Sequence, residues 1–147
     1  MTRPAEMWPS MTPYIAFGFL FHAPSMRVLL HRRAPNAAGY PDRWSFFGGK
    51  AEAEDARDPI ATWCRELREE LGITVEAARV QPLRDYASIE GVYRYVFFIE
   101  WPELSDDFVL GEGVGFQWFD LENVFALPDM SDQGRDDLLF FQARLTG

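Results

Sequence analysis

The sequence predicts an α+β domain arranged as a three-layer α/β/α sandwich. Three observations carry this. Aromatic and β-branched runs at Tyr14 to Phe21, Arg27 to Arg32, Val80 to Trp101 and Gly115 to Phe119 read as strands. Two other stretches, opening at Asp58-Pro59 and at Asp132, carry helix signals. The two kinds of element mix without regular βαβ alternation, which favours a mixed sheet with helices on it. A chain of 147 residues, 48% hydrophobic and 16% aromatic, is long enough for one packed core and too aromatic for disorder.

Met1 to Pro13 holds three prolines and reads as a loose arm that docks late, leaving residues 14–147 as a single domain. Gly18 inside the first strand suggests a bulge or close packing. Ala34 to Arg43, with Pro, Asn, Gly and Pro, reads as a loop. Trp44 to Lys50 reads as a short strand running into a Gly48-Gly49 turn. Asp58 caps the next helix and Pro59 fits its first position. Gly72 ends that helix in the left-handed cap position, with Ile73 as its apolar companion. Val80 to Trp101 divides into two or three strands about a turn at Glu90-Gly91, and Leu121 to Phe125 reads as a helical turn. Asp132 to Leu145 closes the chain as an amphipathic helix with Leu138, Leu139 and Phe141 among its apolar residues.

Charge narrows the partners. Residues 1–99 carry 12 acidic and 12 basic groups, and residues 100–147 carry 11 acidic and 2 basic, so the net charge of −9 lies in the last third. Such a chain is a poor match for nucleic-acid polymers or anionic membranes, whereas a small anionic ligand remains open to it through a bridging metal ion. A single cysteine excludes a disulfide framework and a cysteine zinc site. No signal-peptide pattern is present, and the longest apolar stretch is too short to cross a bilayer, so a cytoplasmic protein is expected.

The informative segment is Arg65-Glu66-Leu67-Arg68-Glu69-Glu70-Leu71-Gly72-Ile73. At about 100° per residue, Glu66, Glu69 and Glu70 fall within one sector of about 100°. Ile60, Cys64, Leu67 and Leu71 lie on the other side of the helix. A solvated helix with an Arg65–Glu69 pair would account for the pattern. Yet like charges at these spacings cost about 0.2–0.5 kcal/mol per pair. Clustered carboxylates suit a hard divalent cation such as magnesium, which takes oxygen ligands and substrate phosphates together.

Together with the upstream glycines, the segment reads Gly49, five residues, Asp55, nine residues, and then Arg65 to Ile73. This resembles the box motif of the Nudix hydrolases, a MutT-like family. The family pattern is glycine, five residues, glutamate, seven residues, then Arg-Glu-apolar-x-Glu-Glu-x-Gly-apolar. The second half matches at every specified position, and Trp44-x-Phe-x-Gly-Gly-Lys50 resembles the usual approach to the box. Two departures stand out: Asp55 replaces glutamate, and the spacer after it is two residues longer. Counting back from Arg65 would instead place Arg57 at the acid and Ala51 at the glycine; the reading with Asp55 is preferred, the extra residues falling in the loop before Pro59.

The resemblance implies a Nudix fold, with a mixed sheet flanked by the box helix and the C-terminal helix. It also implies hydrolysis of a pyrophosphate bond in a nucleoside diphosphate linked to another group, with Mg2+, or Mn2+ in its place. It implies Glu66, Glu69 and Glu70 as metal ligands with Gly48, Glu69 and Arg65 as catalytic residues, and Asp55 and Gly49 as loop support. Glu112, between Gly111 and Gly113, is the candidate loop glutamate acting outside the box. Arg33 and Lys50 are candidate phosphate contacts. Trp118-Phe119 with Asp129-Met130-Ser131-Asp132 resembles the oxidised-purine nucleoside triphosphatases of the family, which makes Asp129 or Asp132 a candidate reader of a base edge. Helix capping accounts for Ser131 or Asp132 equally well. The expected partner is a small nucleotide: a nucleoside triphosphate, or alternatively a nucleotide sugar, ADP-ribose or a dinucleoside polyphosphate. A nucleotide-binding module without catalysis is the remaining alternative. Isopentenyl diphosphate isomerisation is disfavoured because Cys64 lies on the apolar face of the helix.

Overall fold

A computed structural model describes residues 13–38, 40–88 and 91–147. The expected N-terminal arm, apart from Pro13, and Glu90 of the expected turn lie outside the described residues.

Seven strands form one mixed sheet: β1 (Tyr14–His22), β2 (Arg27–Arg32), β3 (Trp44–Ser45), β4 (Phe47–Lys50), β5 (Gln81–Ala87), β6 (Tyr93–Glu100) and β7 (Gly115–Asp120). Central β1 runs parallel to β6 along its length. Its other edge is shared. Leu20 to His22 pair with β2, whereas Ile15 to Gly18 pair with β4. Strands β1 and β2 therefore diverge, and β3 and β4 fill the gap, with β3 paired to the end of β2. Beyond them β7 pairs with the far edge of β2, and β5 closes the other side against β6. Gly48 and Gly49 lie inside β4, paired to Phe17 and Ala16, and not in the expected turn.

The helices are α1 (Pro59–Leu71), the single turn α2 (Leu121–Val124) and α3 (Asp132–Thr146). Strand alternation sorts the core into two layers. Ala16, Leu20, Leu29, Phe47, Tyr95 and Phe97 face α1 and its Trp63, Leu67 and Leu71. Phe19, Phe21, Val28, Leu30, Phe46 and Phe98 face Leu138 and Phe141 of α3. This is the α/β/α sandwich that the pattern predicts. Leu139, expected on the apolar side of α3, is exposed.

Helix α1 starts and stops where the signals put it. The Asp58 carboxylate accepts the Ile60 and Ala61 N–H groups, and Gly72 ends the helix in the left-handed region. Gly18 serves close packing: a Cβ there would run into the Trp63 ring and the Phe97 carbonyl. No bulge interrupts β1 at Gly18; the irregularity lies between Pro82 and Arg84 of β5. Trp63 Nε1 also donates to the Phe47 carbonyl at 3.0 Å, which ties α1 to β4. The glutamate face of α1 thereby lies against the edge of the β4 glycines.

Candidate active site

Arg65 is the hub of the site. Its guanidinium is buried and donates to both oxygens of Asp55, Nε to Oδ1 at 2.9 Å and Nη2 to Oδ2 at 3.1 Å. Nη2 also donates to the Lys50 carbonyl, and Nη1 spans both oxygens of Glu69 at 3.0 and 2.9 Å. Asp55 is buried as well and accepts the Glu52 N–H and the Thr62 hydroxyl at 2.9 Å each. Burial alone would raise its pKa, but the bonds from Arg65, Glu52 and Thr62 outweigh it and hold the carboxyl below its ordinary value. The Arg57 guanidinium lies over the Tyr14 ring, 5.8 Å from its centroid. The longer spacer is taken up at Ala56 and Arg57, which both adopt left-handed backbone, φ 51° and 59°.

The other two box glutamates are largely withdrawn from solvent. Glu70 is 2% exposed, and Gly48 N–H donates to its Oε1 at 2.9 Å. Burial, then the neighbouring Glu66, pushes its pKa up to about 9 against that hydrogen bond. Glu66 lies against the Cα of Gly49, where a Cβ would collide with its carboxylate. Burial first, and then Glu69 and Glu112, push Glu66 up to about 7 despite Arg65. A plain solvated helix face would not bury one of its three carboxylates and shield most of a second.

Glu112 arrives from the far side on a docked loop. Val109 N–H donates to the Leu71 carbonyl and Gly111 N–H to the Glu70 carbonyl, capping the end of α1. Gly111 is so close to the Glu69 carbonyl that a Cβ has no room, and Gly113 has a φ of 80° and lies against His31. His31 Nε2 donates to the Glu112 carbonyl at 2.7 Å while its ring stacks on Phe47 at 4.9 Å. Burial holds the His31 pKa below its ordinary value, which favours this neutral donor. No motif in the sequence marks His31. The signal available was its position two residues after Leu29, on the α1 face of β2.

Glu66, Glu69, Glu70 and Glu112 line one cavity of about 620 Å³ with His31, Arg33, Gly48, Gly49 and Lys50. The donor set is the oxygen-rich, anionic one that a divalent cation prefers, and burial leaves Glu66 and Glu70 costly to ionise without one. Among the described residues, no three His, Cys, Asp or Glu side chains already converge as a ready-made cluster of ligands. The residues fit a metal bound together with its substrate better than a closed cage.

A second cavity of about 470 Å³ adjoins the first and shares Arg33, Gly48, Gly49 and Lys50 with it. Phe17, Phe46, Tyr40, Arg94, Ser131 and Gln133 line its remainder. Asp129 and Asp132 line neither cavity. The Asp129 carboxylate is taken by Arg32, and Asp132 is exposed and reaches Arg135 on its own helix at 3.5 Å. Ser131 supplies the helix cap, accepting the Gly134 N–H.

A sequence model of the NUDIX domain matches residues 12–140. The chain belongs to the Nudix family. Its similarity to a prenyl-diphosphate phosphatase of Methanosarcina mazei is 26% identity over 104 residues, 69% of this chain and 60% of that protein. The chain thus matches about three-fifths of that curated relative's length. Solved Nudix structures share the fold. A MutT protein from Methanosarcina mazei superposes with a TM-score of 0.71 at 18% identity, over 95% of this chain and all of that one. The NUDIX domain of Shewanella oneidensis NrtR, complexed with ADP ribose, gives 0.70 at 15% identity over 98% and 94%. Box segment, fold order and family membership agree. No helix among the described residues is long and apolar enough to cross a membrane.

Proposed function

We propose that this Nudix chain is a magnesium-dependent pyrophosphohydrolase that cleaves a pyrophosphate bond in a nucleoside diphosphate-linked substrate, with nucleoside triphosphates as the leading class. One observation carries the reading: the three box glutamates and Glu112 reach a single cavity from opposite sides, with Arg33 and Lys50 on its lining. Glu66, Glu69 and Glu70 would hold the ion. A divalent ion there supplies charge neutralisation to the pyrophosphate and a more acidic water. Manganese, with similar oxygen preference, would substitute.

The chain's own residues do the rest. Arg33 and Lys50 bind phosphate oxygens where the two cavities join. Arg65 does not touch substrate; it fixes Glu69 by their shared hydrogen bonds and is itself fixed by Asp55 and the Lys50 carbonyl. Since Arg65 occupies both Glu69 oxygens, Glu112 is the carboxylate better placed to take a proton from the attacking water. Its loop is held rigidly by the α1 carbonyls and His31, as positioned catalysis requires.

A second reading, a nucleotide-binding module without catalysis, draws on the aspartate in the box and its longer loop. Prenyl diphosphates and ADP ribose, named with the relatives, belong in the same screen. The purified chain is incubated with nucleoside triphosphates, nucleotide sugars, dinucleoside polyphosphates, ADP-ribose and a prenyl diphosphate, with magnesium or with chelator. Metal-dependent release of a nucleotide and phosphate or pyrophosphate is expected. Binding without turnover would favour the module; full turnover in chelator would sink the metal mechanism.

A further inference from the structure

We propose that Arg94 is a specificity-determining residue that donates to a ring carbonyl of the substrate's base, so that keto-bearing bases are preferred over their amino counterparts. The proposal rests on the nucleotide reading above. Arg94 is buried on β6 and lines the second cavity. Its Nε and Nη2 both donate to Asp137 Oδ2, at 3.1 and 2.8 Å. Nη1 meets no acceptor among the described residues. A guanidinium held so firmly with one nitrogen unspent is a preset donor for what fills the cavity.

The surroundings define that ligand. Asp137 has no capacity to spare, since its other oxygen accepts from Arg84 Nε and Nη2 and from the Tyr86 hydroxyl. Two arginines therefore face one carboxylate, and the excess positive charge favours an acceptor and repels an amino group. The Arg94 guanidinium lies 4.8 Å from the Phe17 ring centroid and 6.0 Å from that of Phe46. Half-buried Phe17 and exposed Tyr40 give the cavity wall an aromatic lining that suits a flat ring more than a phosphate, and Arg33 and Lys50 are the phosphate contacts proposed above at the junction with the metal cavity. An acceptor presented on a planar ring is a keto-bearing base, the partner that a positioned arginine reads elsewhere in recognition chemistry.

Inosine and adenosine triphosphates differ at the six-position as carbonyl against amine, and UTP and CTP differ likewise at the four-position. With magnesium, kcat/KM is expected to be at least about tenfold higher for ITP than ATP and for UTP than CTP. Two variants are compared after circular dichroism confirms folding. Arg94→Lys keeps a cation for Asp137 without the planar fork, and Arg94→Met/Asp137→Asn removes the ion pair together. Either folded variant should bring both ratios within about twofold. Wild-type ratios within twofold, or ratios unchanged in both variants, would overturn the inference. No turnover of any triphosphate would count against the pyrophosphohydrolase reading instead. Calorimetric binding of IMP and AMP then decides for Arg94: tighter IMP binding that Arg94→Lys abolishes supports it, and equal affinities overturn it.

Discussion

Asp55 and Arg65 form a buried, two-bonded ion pair, Nε–Oδ1 2.9 Å and Nη2–Oδ2 3.1 Å, across a loop longer than the family pattern. The shorter carboxylate is compensated by its surroundings. Thr62 and the Glu52 N–H hold the oxygen that Nη2 also uses, and the Tyr14 hydroxyl bonds Thr62 in turn at 2.9 Å. Asp55→Ala strips the buried guanidinium of two charge-assisted hydrogen bonds while Glu69 and the Lys50 carbonyl remain, a loss of about 1.5–3 kcal/mol. Glu69 would lose its fixed orientation with it, so turnover should fall at least about tenfold. Arg57→Ala removes a guanidinium seated over the Tyr14 ring, a cation–π contact worth about 0.5–1 kcal/mol, and should leave turnover intact. Urea unfolding and steady-state rates for both variants check this; the reverse pattern would return the box acid's place to Arg57.

The extra loop residues are strained. Ala56 adopts a φ of 51°, a conformation costing an L-residue about 1–2 kcal/mol. Glycine adopts it freely but loses about 0.5–1 kcal/mol more backbone entropy on folding. Ala56→Gly should therefore stabilise the protein by roughly 0.5–1 kcal/mol. An unchanged or lower urea midpoint would contradict the strain.

Gly111 is where the Glu112 loop meets α1. Gly111→Ala would drive a methyl group into the Glu69 carbonyl, so the loop must lift. Lifting breaks the Gly111 and Val109 bonds to the helix end, each worth about 1 kcal/mol. Turnover should fall steeply while α1 stays folded, as read by rates beside far-ultraviolet circular dichroism. Full activity would remove Glu112 from the mechanism.

Glu70 makes the metal-free protein sensitive to pH. Its ordinary value is 4.5, and burial beside Glu66 pushes it up to about 9 in the folded chain. The native state thus keeps a proton that the unfolded chain has lost, and stability falls as pH rises from about 5 towards 9. Glu66, raised to about 7, adds to the same slope in its lower half. Glu70→Gln should flatten the curve and raise metal-free stability at pH 8 by more than about 1 kcal/mol. Turnover should drop by orders of magnitude, and the variant should gain less in melting temperature from magnesium than the wild type does. Melting curves from pH 5 to 9, with chelator and with magnesium, test both halves. A flat wild-type curve would contradict the burial argument.

Local pattern carried the reading as far as one helix. Asp58, Pro59 and Gly72 bound α1 by backbone rules that act within a turn, and spacing alone puts Glu66, Glu69 and Glu70 on one face. Tyr14 to Phe21 and Arg27 to Arg32 are strands because their side chains suit a pleated, buried surface, and the mixture of elements implies a sandwich. Which glutamates are buried is not a local matter. Glu70 loses solvent because β4 fills the gap between β1 and β2 and brings Gly48 N–H to it, so the glycine pair is strand rather than turn. The choice of Asp55 over Arg57 as partner of Arg65 depends on how the loop folds back over Lys50. Arg94 and Asp137 meet across 43 residues of chain, from a strand to a helix, and Arg94, which no motif marks, lines the second cavity while Asp129 and Asp132 line neither. Helix caps and face patterns are written by neighbours in sequence; burial, and with it charge and specificity, is decided by the neighbours that the sheet assembles.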